Sequence, residues 1–385
     1  MEDPPPSMPA EDEPTPGSSG PRRFPCAQCG AKLEFAAGTD GLVCPYCGRE
    51  NVIGGAENAG ISPHEELDLQ STLSRMEAAA PSYATESVKC QACAASIARP
   101  PNLESFACPY CGSNIVTTAE STRLIKPRGV LPFKVTRDAA TLAFRGWLKS
   151  LWFAPSALKR HAAIDAAING LYLPYWTYDC RTETPYSGQR GDYYYVTVPY
   201  TTVVNGKTVA RTRQERRTRW SSASGRVRNA FDDLLVIAST SLPPEVAERL
   251  QPWDLADLKP YDDAFLAGFV AERYQVDLAA GFTVAQGLMR PQIEMTIRAD
   301  IGGDEQRIAD YRPAYFDMKF KHLLLPVWIS AFRYLNKVYR FYVNARTGEV
   351  TGERPYSYWK IAGAVVGGLL IVGGIVAVIV AVRGS

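Results

Sequence analysis

Eight of the nine cysteines form two clusters with identical spacing, and no other feature constrains the fold of this 385-residue chain as strongly. In each cluster, one Cys-x2-Cys pair is followed after fourteen residues by another, and both clusters end on Cys-Pro-Tyr-Cys-Gly. The second cluster lies 64 positions after the first. The eight residues are Cys26, Cys29, Cys44, Cys47, Cys90, Cys93, Cys108 and Cys111.

This spacing is typical of zinc ribbons. Two residues between cysteines allow a tight turn, here called a knuckle, that presents two thiolates to one metal ion. A connection of fourteen residues is long enough for a short hairpin that brings the second knuckle opposite the first. Gly30, Gly48 and Gly112 follow three of the pairs and provide the backbone freedom that such turns need, whereas Ala94 follows the fourth. The pattern predicts two four-cysteine sites with one zinc ion each.

Two other uses of the cysteines are less consistent with the sequence. Four disulfides would be typical of a secreted chain, but the N-terminal residues lack the basic start and apolar core of a signal peptide. The Cys-Pro-x-Cys-Gly knuckle also resembles that of the rubredoxin iron site, but rubredoxins separate their cysteine pairs by a much longer loop. Zinc in a reducing compartment is therefore favoured.

The second strong feature is a C-terminal segment, Ile361 to Val382, with 22 residues and no charge, polar side chain or proline. As a helix it would be roughly 33 Å long, enough for a hydrocarbon core of about 30 Å. An aromatic and basic stretch at 356–360 precedes it like an interfacial belt. Its Val, Ile and Gly composition disfavours a water-soluble core helix, so the sequence predicts a single-pass tail anchor.

Flanking charges predict how this anchor is oriented. Arg346, Arg354 and Lys360 precede it, and fewer basic residues follow it. The positive-inside rule then places the large N-terminal part in the cytoplasm, at the plasma or inner membrane of the cell. Gly363 and Gly367 have the spacing of a helix-pairing motif, which could support a homodimer.

Six regions are predicted along the chain. Residues 1–22 form a disordered tail rich in Pro and acidic residues, because such a composition cannot bury enough apolar surface to fold. The other regions are a first zinc ribbon at 23–53, a linker at 54–88, a second zinc ribbon at 89–118, an α+β domain at 119–355, and an aromatic belt with the tail anchor at 356–385. The predicted fold class is multidomain, with two small, mostly β ribbons, an α+β domain and one transmembrane helix.

Hydrophobic periodicity predicts the elements of the α+β domain. They are a strand at 132–136, helices at 137–152 and 156–170, strands over 171–220 that turn at Asn205-Gly206, a helix at 278–299, and strands over 314–350. Within the linker, Ser62 is the expected N-cap of a short helix over 63–80.

A short internal repeat supports the β assignment. Leu171 to Trp176 reads LYLPYW and Leu323 to Trp328 reads LLLPVW, and both lead into aromatic, alternating strands. The match predicts a duplicated antiparallel sheet, although six residues can also agree by chance. Since proline interrupts a ladder of hydrogen bonds, we expect Pro174 and Pro326 in bulged or edge strands.

No catalytic motif is recognisable. Gly206-Lys207-Thr208 resembles the end of a phosphate loop, but Thr201 occupies the position of the first glycine and the tripeptide lies in a predicted hairpin. The three histidines are not paired at helical spacing, and acidic pairs such as Asp232-Asp233 are interpreted as turns. Cys180 is interpreted as a half-buried strand thiol in preference to a reactive one. The sequence therefore favours a non-enzymatic protein.

A basic stretch follows the predicted hairpin turn. Alternate residues of a strand share one face, so Arg211, Arg213, Arg217 and Arg219 are expected to line one surface. A formal net charge of +2 excludes a globally basic nucleic-acid binder but allows such a local patch. The patch could contact anionic lipid headgroups or nucleic-acid phosphates, or it could be a solvated face that prevents edge-to-edge aggregation.

Several segments accompany the twin Cys-Pro-Tyr-Cys-Gly ribbons, namely Val130–Phe133, Trp147–Pro155, Gly170–Trp176 and Tyr342–Gly348. Together they resemble a bacterial family of double-zinc-ribbon membrane proteins that is often mislabelled as primosomal protein N′ or replication factor Y helicase. Since the chain lacks a phosphate loop and the acidic metal-binding motif of a helicase, helicase or ATPase activity is not expected. The resemblance implies no established enzymatic activity, and it implies partners among membrane-stress proteins of the phage-shock type.

We therefore expect a non-enzymatic adaptor that is anchored in the membrane, faces the cytoplasm and docks partner proteins on its ribbons. The alternative is a membrane-tethered nucleic-acid-binding protein, because zinc ribbons are frequent in transcription and replication factors. Against it, Lys32 and Arg49 of the first ribbon are offset by Glu34, Asp40 and Glu50. An enzyme of unrecognised type, with a pocket in the α+β domain, is a third hypothesis.

Overall fold

The computed structural model describes residues 24–53, 62–78, 87–89, 96–98, 103–107, 114–116, 125–155, 168–204, 207–334, 337–353 and 357–383. Among these residues, a three-stranded sheet lies near the N-terminus and a twelve-stranded mixed sheet forms the body. One apolar helix follows at the C-terminus. A small β unit, a sheet-rich body and a candidate anchor helix are therefore present.

The strands of the described residues are β1 (Glu34–Phe35), β2 (Gly41–Val43), β3 (Glu50–Val52), β4 (Leu67–Asp68), β5 (Ser87–Lys89), β6 (Ser96–Ala98), β7 (Leu103–Ala107), β8 (Asn114–Val116), β9 (Gly129–Val130), β10 (Asn169–Val204), β11 (Lys207–Ile237), β12 (Lys259–Pro260), β13 (Val270–Glu272), β14 (Glu305–Tyr311), β15 (Ala314–Tyr334), β16 (Lys337–Asn344) and β17 (Val350–Gly352). The α-helices are α1 (Leu69–Ala78), α2 (Arg137–Ser150), α3 (Pro244–Arg249), α4 (Leu278–Ile301) and α5 (Tyr358–Arg383), and short 3-10 turns occur at Leu255–Asp257 and Asp263–Leu266.

The large sheet is built around two long central strands. Its main order is β12-β9-β15-β10-β13-β7-β8, with β15 and β10 antiparallel at the centre. β9 runs parallel to β15, and β13 runs parallel to β10. The sheet is thus mixed, and the expectation of an antiparallel sheet is wrong for these two strands. Periodicity within a strand does not reveal this, because each parallel partner is distant in the chain.

The two repeated sequence segments pair with each other at the centre of this sheet. Leu171 lies opposite Val327, and Tyr175 lies opposite Leu323, so the two segments are exchanged by a local two-fold rotation. The same rotation relates the parallel strands, since Leu323 of one segment pairs with Gly129 of β9 while Leu171 of the other pairs with Val270 of β13. The two segments therefore share the geometry of their strand pairing as well as their residues.

Corresponding tryptophans also make corresponding hydrogen bonds. Trp176 donates from Nε1 to the carbonyl of Val276 at 2.9 Å, and Trp328 donates from Nε1 to the carbonyl of Val135 at 2.8 Å. Each valine immediately precedes the N-cap residue of a helix, α2 in one half and α4 in the other. The halves interlock, because the tryptophan of each half holds the start of the other's helix. These matched contacts favour a duplicated half over chance similarity.

The expectation that Pro174 and Pro326 lie in bulged or edge strands is wrong. Both occur in the central strands and in regular register. Beside Pro174, the strand that pairs with the outer side of β10 changes from β13 to β11. Beside Pro326, the strand that pairs with the outer side of β15 changes from β9 to β16. A missing N–H interrupts no ladder at such a junction, and the two proline carbonyls accept hydrogen bonds from the amides of Ala238 and Ala345.

The predicted linker contributes a strand and a helix to the body. β4 pairs with β15 through Asp68 opposite Lys319, and α1 follows directly. The helix begins later than the sequence suggests, because Asp68 accepts a hydrogen bond from the amide of Ser71 at 2.7 Å, while the Ser62 hydroxyl accepts from the amide of His64 in a preceding turn. This part of the linker is therefore held against the body.

Two predicted helices and one predicted hairpin agree with the structure, whereas β11 extends beyond the predicted limit at 220 to Ile237, and α3, β12, β13 and β14 were not predicted. α2 and α4 begin at the expected positions, and β10 and β11 form the expected hairpin with Val204 opposite Lys207. The strand expected at 132–136 is wrong, since the short strand β9 precedes it and residues 131–134 have no regular structure. The helix expected at 156–170 lies mostly outside the described residues.

The core of the described residues consists of three apolar clusters. One joins side chains of the first ribbon, α2 and the sheet, a second lies between the sheet and α4, and a third lies beneath α3. Each cluster contains side chains from both interlocked halves. The body and the first ribbon therefore share one of their cores.

The C-terminal helix α5 is not part of these cores. It has 26 residues and is long and apolar enough to cross a membrane. Its described apolar side chains are exposed, including those of Val366, Leu369 and Ile371. A buried core helix is therefore excluded for this described part, and a candidate membrane span remains.

Candidate metal centre

Two knuckles of the first ribbon hold its four cysteines. In the first, the amide of Cys26 donates to the carbonyl of Ala31 at 2.7 Å, and the amide of Gly30 donates back to the carbonyl of Cys26 at 2.8 Å. The second repeats this pattern around Cys44, with bonds of 3.0 Å and 2.9 Å. Gly30 and Gly48 both adopt a left-handed conformation, with φ of 71° and 72°. A side chain with a Cβ would strain this turn, which explains the glycine after each pair.

The knuckles bring the four sulfur atoms together. The Sγ atoms of Cys26 and Cys47 are 3.5 Å apart, as are those of Cys29 and Cys44, and Cys29 and Cys47 are separated by 3.6 Å. All four lie within 4.8 Å of one another. A tetrahedral zinc ion with bonds of about 2.3 Å requires sulfur separations of roughly 3.8 Å. The cluster fits one such ion with a small outward movement of the thiolates.

Backbone amides favour the thiolate form in two of these residues. The amide of Gln28 donates to the sulfur of Cys26 at 3.4 Å, and this bond, ahead of others, lowers the pKa of Cys26 to about 6. The amide of Cys47 lowers the pKa of Cys44 in the same way. The amide of Arg49 acts likewise on Cys47, but burial and the neighbouring sulfurs raise the pKa of Cys47 to about 12. A bound dication would stabilise all four thiolates and would thereby offset the burial and the neighbouring sulfurs that raise the pKa of Cys47.

The metal centre lies at one end of the shared core. Cys26 and Cys44 are buried, whereas Cys29 and Cys47 are exposed. Beneath the sulfurs, the ring of Phe35 lies between those of Phe265 and Phe269, with centroid separations of 5.5 Å and 6.3 Å. The ribbon is thus attached to the body by aromatic packing on its inner side.

Two backbone hydrogen bonds reinforce this attachment. The amide of Phe35 donates to the carbonyl of Ala267 at 3.0 Å, and the amide of Gly38 donates to the carbonyl of Phe133 at 2.8 Å. Because both partners belong to the body, the first ribbon has a defined position on it. The ribbon surface that faces away from the body contains Tyr46 and Val52, which are 83 % and 87 % exposed.

The cysteines of the second cluster, Cys90, Cys93, Cys108 and Cys111, lie outside the described residues, as does Ala94. The strands that flank them have the register of the first ribbon, shifted by 64 positions. Gly41 lies opposite Val52 in the first ribbon, and Ser105 lies opposite Val116 in the second. Similarly, the bridge between Pro25 and Lys32 corresponds to the pair of Lys89 with Ser96. Both Cys-x2-Cys pairs of the second cluster are therefore flanked by residues with the same backbone pairing as those that flank the pairs of the first.

The second set of strands is also joined to the body. β7 pairs with β13, and the Ser105 hydroxyl donates to the carbonyl of Phe269 at 2.8 Å. The first ribbon contacts the same segment of the body through Phe265, Ala267 and Phe269. Residues 265–272 thus form a common attachment for both cysteine-containing regions.

The predicted basic face lies on a two-stranded arm. Beyond Gly191, the last residue of β10 that pairs with β14, β10 and β11 pair only with each other among the described residues. Arg211, Arg213, Arg217 and Arg219 are exposed, and their cross-strand partners are Tyr200, Val198, Tyr194 and Asp192. Directly opposed residues share a face of the sheet, so this surface combines guanidinium groups with aromatic and aliphatic side chains and with the carboxylates of Asp192 and Glu215.

The sequence did not reveal a buried cluster of opposite charges between the linker and the body. The ammonium group of Lys321, whose side chain is 3 % exposed, lies 2.6 Å from Asp233, 3.5 Å from Glu66 and 3.9 Å from Asp179. Asp179 accepts a hydrogen bond from the amide of Asp233, which has a positive φ of 49° at a β-bulge. Asp233 is therefore part of an ion-pair cluster within β11, so the interpretation of Asp232-Asp233 as a solvated turn is wrong, and only long-range pairing brings the members of the cluster together.

Two other titratable residues have structural roles. Burial raises the pKa of the Cys180 thiol to about 11, and its Sγ lies 3.6 Å from the sulfur of Met289. Burial also lowers the pKa of His322 to about 4, and its Nδ1 lies 2.8 Å from the carbonyl oxygen of Ile125. Cys180 is therefore a strand thiol, as expected, but it is buried and not half-buried.

A cleft of about 480 Å³ lies between α4 and the segment that follows β11. Its lining is mainly apolar and includes Tyr175, Leu242, Val284 and Leu288. None of the catalytic motifs sought in the sequence falls in this cleft. The expected lack of enzymatic activity stays a prediction.

Comparison with known proteins identifies one distant relative. The chain is 23 % identical over 348 residues to "Uncharacterized protein YdjG" of Bacillus subtilis (strain 168), and the alignment covers 88 % of this chain and 92 % of the relative. No protein-family model matches the chain, and no solved structure matches it. The similarity extends over most of both chains, so it is not confined to the cysteine clusters.

Proposed function

We propose that the protein is a non-enzymatic, membrane-anchored adaptor that carries two zinc ribbons on a sheet-rich body. The observation that carries the proposal is the convergence of Cys26, Cys29, Cys44 and Cys47 on one point from two hydrogen-bonded knuckles. Four cysteine ligands leave no open coordination position, which is typical of structural zinc and not of catalytic zinc. The zinc ion would supply folding energy and a rigid surface, and no reaction step.

A second zinc ion in the second cluster completes the proposal. Its support is the matched strand register on both sides of Cys90–Cys93 and Cys108–Cys111, combined with identical cysteine spacing. Identical backbone pairing at both ends of a knuckle restricts the directions in which its thiolates can point. We therefore expect two zinc ions per chain.

Metal content tests this directly. The purified chain should contain two zinc ions, and Cys44→Ser should retain one, because only the first site loses a ligand. Cys180→Ser is the matched control, since that thiol is buried and does not belong to either cluster, and it should retain both ions. Two ions in Cys44→Ser would contradict the assignment.

The anchoring part of the proposal places α5 in the plasma or inner membrane, with the body in the cytoplasm. It is supported by the length of α5 and by the exposure of its apolar side chains. Gly363 and Gly367 have no neighbouring atom in the described residues that an added Cβ would meet, so the small-residue face is open for pairing with a second copy. Deletion of α5 should release the protein from the membrane fraction. Protease added to intact spheroplasts should leave the body uncleaved, because it cannot reach the cytoplasmic side of the membrane.

Partner docking would use the outer surfaces of the ribbons. Exposed Tyr46 and Val52 support this, because an aromatic and an aliphatic side chain on a rigid metal-bound turn can enter a partner's pocket. The expected partners are membrane-stress proteins of the phage-shock type. Crosslinking in intact membranes should recover them with the full chain, and Tyr46→Ser should reduce the recovery. Equal recovery by the Tyr46 variant would exclude this face.

The basic face of the arm would contact anionic lipid. The arm extends roughly 40 Å at about 3.4 Å per residue, which allows it to reach a membrane surface beside the body. A chain that lacks α5 should bind vesicles containing anionic lipid, and replacement of Arg211, Arg213, Arg217 and Arg219 with Ser should abolish binding. Arg216→Ser, on the opposite face of the arm, is the control, and it should preserve most of the binding. Equal binding to neutral vesicles would contradict this contact.

The same arm supports the alternative of a membrane-tethered nucleic-acid-binding protein. A two-stranded ribbon can enter the major groove of DNA, and Arg with Tyr on one face suits phosphates and bases. Salt titration of binding to duplex and single-stranded oligonucleotides distinguishes the two proposals. A steep loss of affinity with added salt would favour nucleic acid, and the absence of binding at low salt would exclude it.

A further inference from the structure

We propose that the turn after α2, Leu151–Pro155, is a second membrane contact that lies in the interfacial region of the bilayer beside the anchor. This segment is called the aromatic turn below, after Trp152 and Phe153. The proposal rests on the proposed anchoring of the chain through α5. It assigns an orientation to the body that a single anchoring helix would not impose.

Three hydrogen bonds join the aromatic turn to the start of α5. The amide of Ser357 donates to the carbonyl of Phe153 at 2.8 Å. The ammonium group of Lys360 donates to the carbonyl of Ala154 at 2.7 Å and to that of Trp152 at 3.4 Å. Since a helix rises about 1.5 Å per residue, Lys360 lies within one helical turn of the first residues of the apolar span. The aromatic turn is therefore held at the level where α5 would enter the bilayer.

The side chains of both elements are unusually apolar for a surface position. Trp152 is 77 % exposed and Phe153 is partly exposed, while Trp359 and Tyr358 at the start of α5 are 89 % and 85 % exposed. Tryptophan and tyrosine concentrate at the boundary between hydrocarbon and water, where an apolar ring and a polar edge are both accommodated. Two segments that are distant in the chain thus present the same kind of side chain at the level set by their hydrogen bonds.

The body holds the aromatic turn in place. Leu151 and Ala154 are buried on either side of the two rings, and Phe144 in α2 stacks on Phe341 with 3.5 Å between ring centroids. Because the flanking residues are buried in the core, the backbone of the aromatic turn is held at the surface, and Trp152 and Phe153 start from there.

Two membrane contacts would restrict the orientation of the body more strongly than a single contact does. A single helix joined by a short connection allows the body to tilt and rotate about the helix axis. A second contact through the aromatic turn removes most of this freedom, since both points must remain at the interface. The ribbons and the arm would then project in defined directions from the membrane.

Lipid quenching of tryptophan fluorescence tests the proposal on the full chain. The protein is placed in nanodiscs of phosphatidylcholine and phosphatidylglycerol, with or without lipid that carries a nitroxide near the headgroup. Trp359→Phe retains Trp152 as an interfacial reporter, and Trp152→Phe retains Trp359. The double variant measures the emission of the five other tryptophans among the seven in the chain. All variants should retain the zinc content of the wild type, because both side chains are exposed.

The proposal expects the nitroxide lipid to remove more emission from each single variant than from the double variant. Quenching of Trp359 without quenching of Trp152 would overturn the aromatic-turn contact and leave the anchoring intact. Quenching of neither residue would overturn the anchoring and the aromatic-turn contact together. A blue-shifted but unquenched Trp152 would show that protein covers this surface, and it would also overturn the proposal.

Discussion

The first ribbon and the sheet-rich body are both β structures, but they differ in what can hold them together. The strands of the ribbon have two or three residues, and its few buried side chains lie below the four cysteines. The central strands of the body reach 36 residues, and its two halves interlock through paired strands and tryptophan hydrogen bonds. With so small a core, the ribbon is expected to depend on the metal ion that we propose for its four cysteines, whereas the large sheet is stabilised by burial and long-range pairing.

Zinc removal should produce the largest difference between the two regions. Structural zinc contributes about 10–16 kcal/mol of apparent binding energy, which is folding energy for a ribbon with so small a core. Chelation should therefore abolish the protection of ribbon amides such as those of Leu42 and Val43 against hydrogen exchange. The amides of the central strands β10 and β15 should remain protected. Loss of protection in both regions at once would show that the body also depends on the metal.

Phe35→Ala should separate the ribbon from the body without removing the metal. The variant loses the ring between Phe265 and Phe269, and burial of such a ring is worth about 3–5 kcal/mol. Zinc content should remain at the wild-type value, while limited proteolysis between the ribbon and α1 should become faster. Val52→Ala, at an exposed position of the same ribbon, should change neither measurement.

Substitution by alanine should change the free energy of unfolding differently at two glycines of α4. A Cβ added at Gly281 would overlap the Tyr178 hydroxyl and lie 2.8 Å from Trp176, whereas one added at Gly287 would meet no atom within 4 Å. Gly281→Ala should lower the free energy of unfolding by about 1–3 kcal/mol through overpacking. Gly287→Ala should leave it unchanged or raise it by up to about 1 kcal/mol, because alanine favours a helix. Urea unfolding measures both, and equal effects would mean that α4 does not contact the strands so closely.

The buried charge cluster around Lys321 predicts that the free energy of unfolding of the body depends on pH, with a smaller effect than those above. Burial, only partly offset by the amide of Asp233 and by Lys321, raises the pKa of Asp179 to about 7. An unfolded aspartate has a pKa of about 3.9, so between these values the folded state binds a proton that the unfolded state has lost. The free energy of unfolding should therefore fall as pH rises through this window, by at most about 1.4 kcal/mol per pH unit.

Asp179→Asn should remove this contribution and flatten the pH dependence of the unfolding free energy over the same window. Asp40→Asn, at an exposed position of the ribbon, is the control and should preserve the wild-type slope. An unchanged slope in the Asp179 variant would mean that another group binds the proton.

Local chemistry allowed several parts of the molecule to be predicted. The knuckles follow from cysteine spacing and from glycines that can adopt a positive φ, so the sequence predicted that the first four cysteines come close enough to bind one metal ion. The hairpin of β10 and β11 follows from Asn-Gly between alternating strands, and the starts of α2 and α4 follow from hydrophobic periodicity. The structure adds Thr136 and Asp277 as the N-caps of these two helices. In each case the determining contacts lie within a few residues along the chain.

Other parts could not be predicted because their contacts join distant residues. The parallel pairing of β9 with β15, the regular placement of Pro174 in a central strand and the charge cluster around Lys321 all depend on which strand lies beside which. A proline or an aspartate has the same local preferences in either environment, and only the neighbouring strand decides whether its missing N–H or its charge is tolerated.

The ligand set of the metal centre, the repeated segments and the apolar span can be read directly from the chain, because each is a pattern of neighbouring residues with its own chemistry. How these parts are joined became visible only in the folded molecule. Both cysteine-containing regions attach to residues 265–272, each half holds the helix of the other, and Lys360 meets the turn at Trp152. These contacts gain their free energy from surfaces that become adjacent only after folding, so no local pattern along the chain encodes them separately.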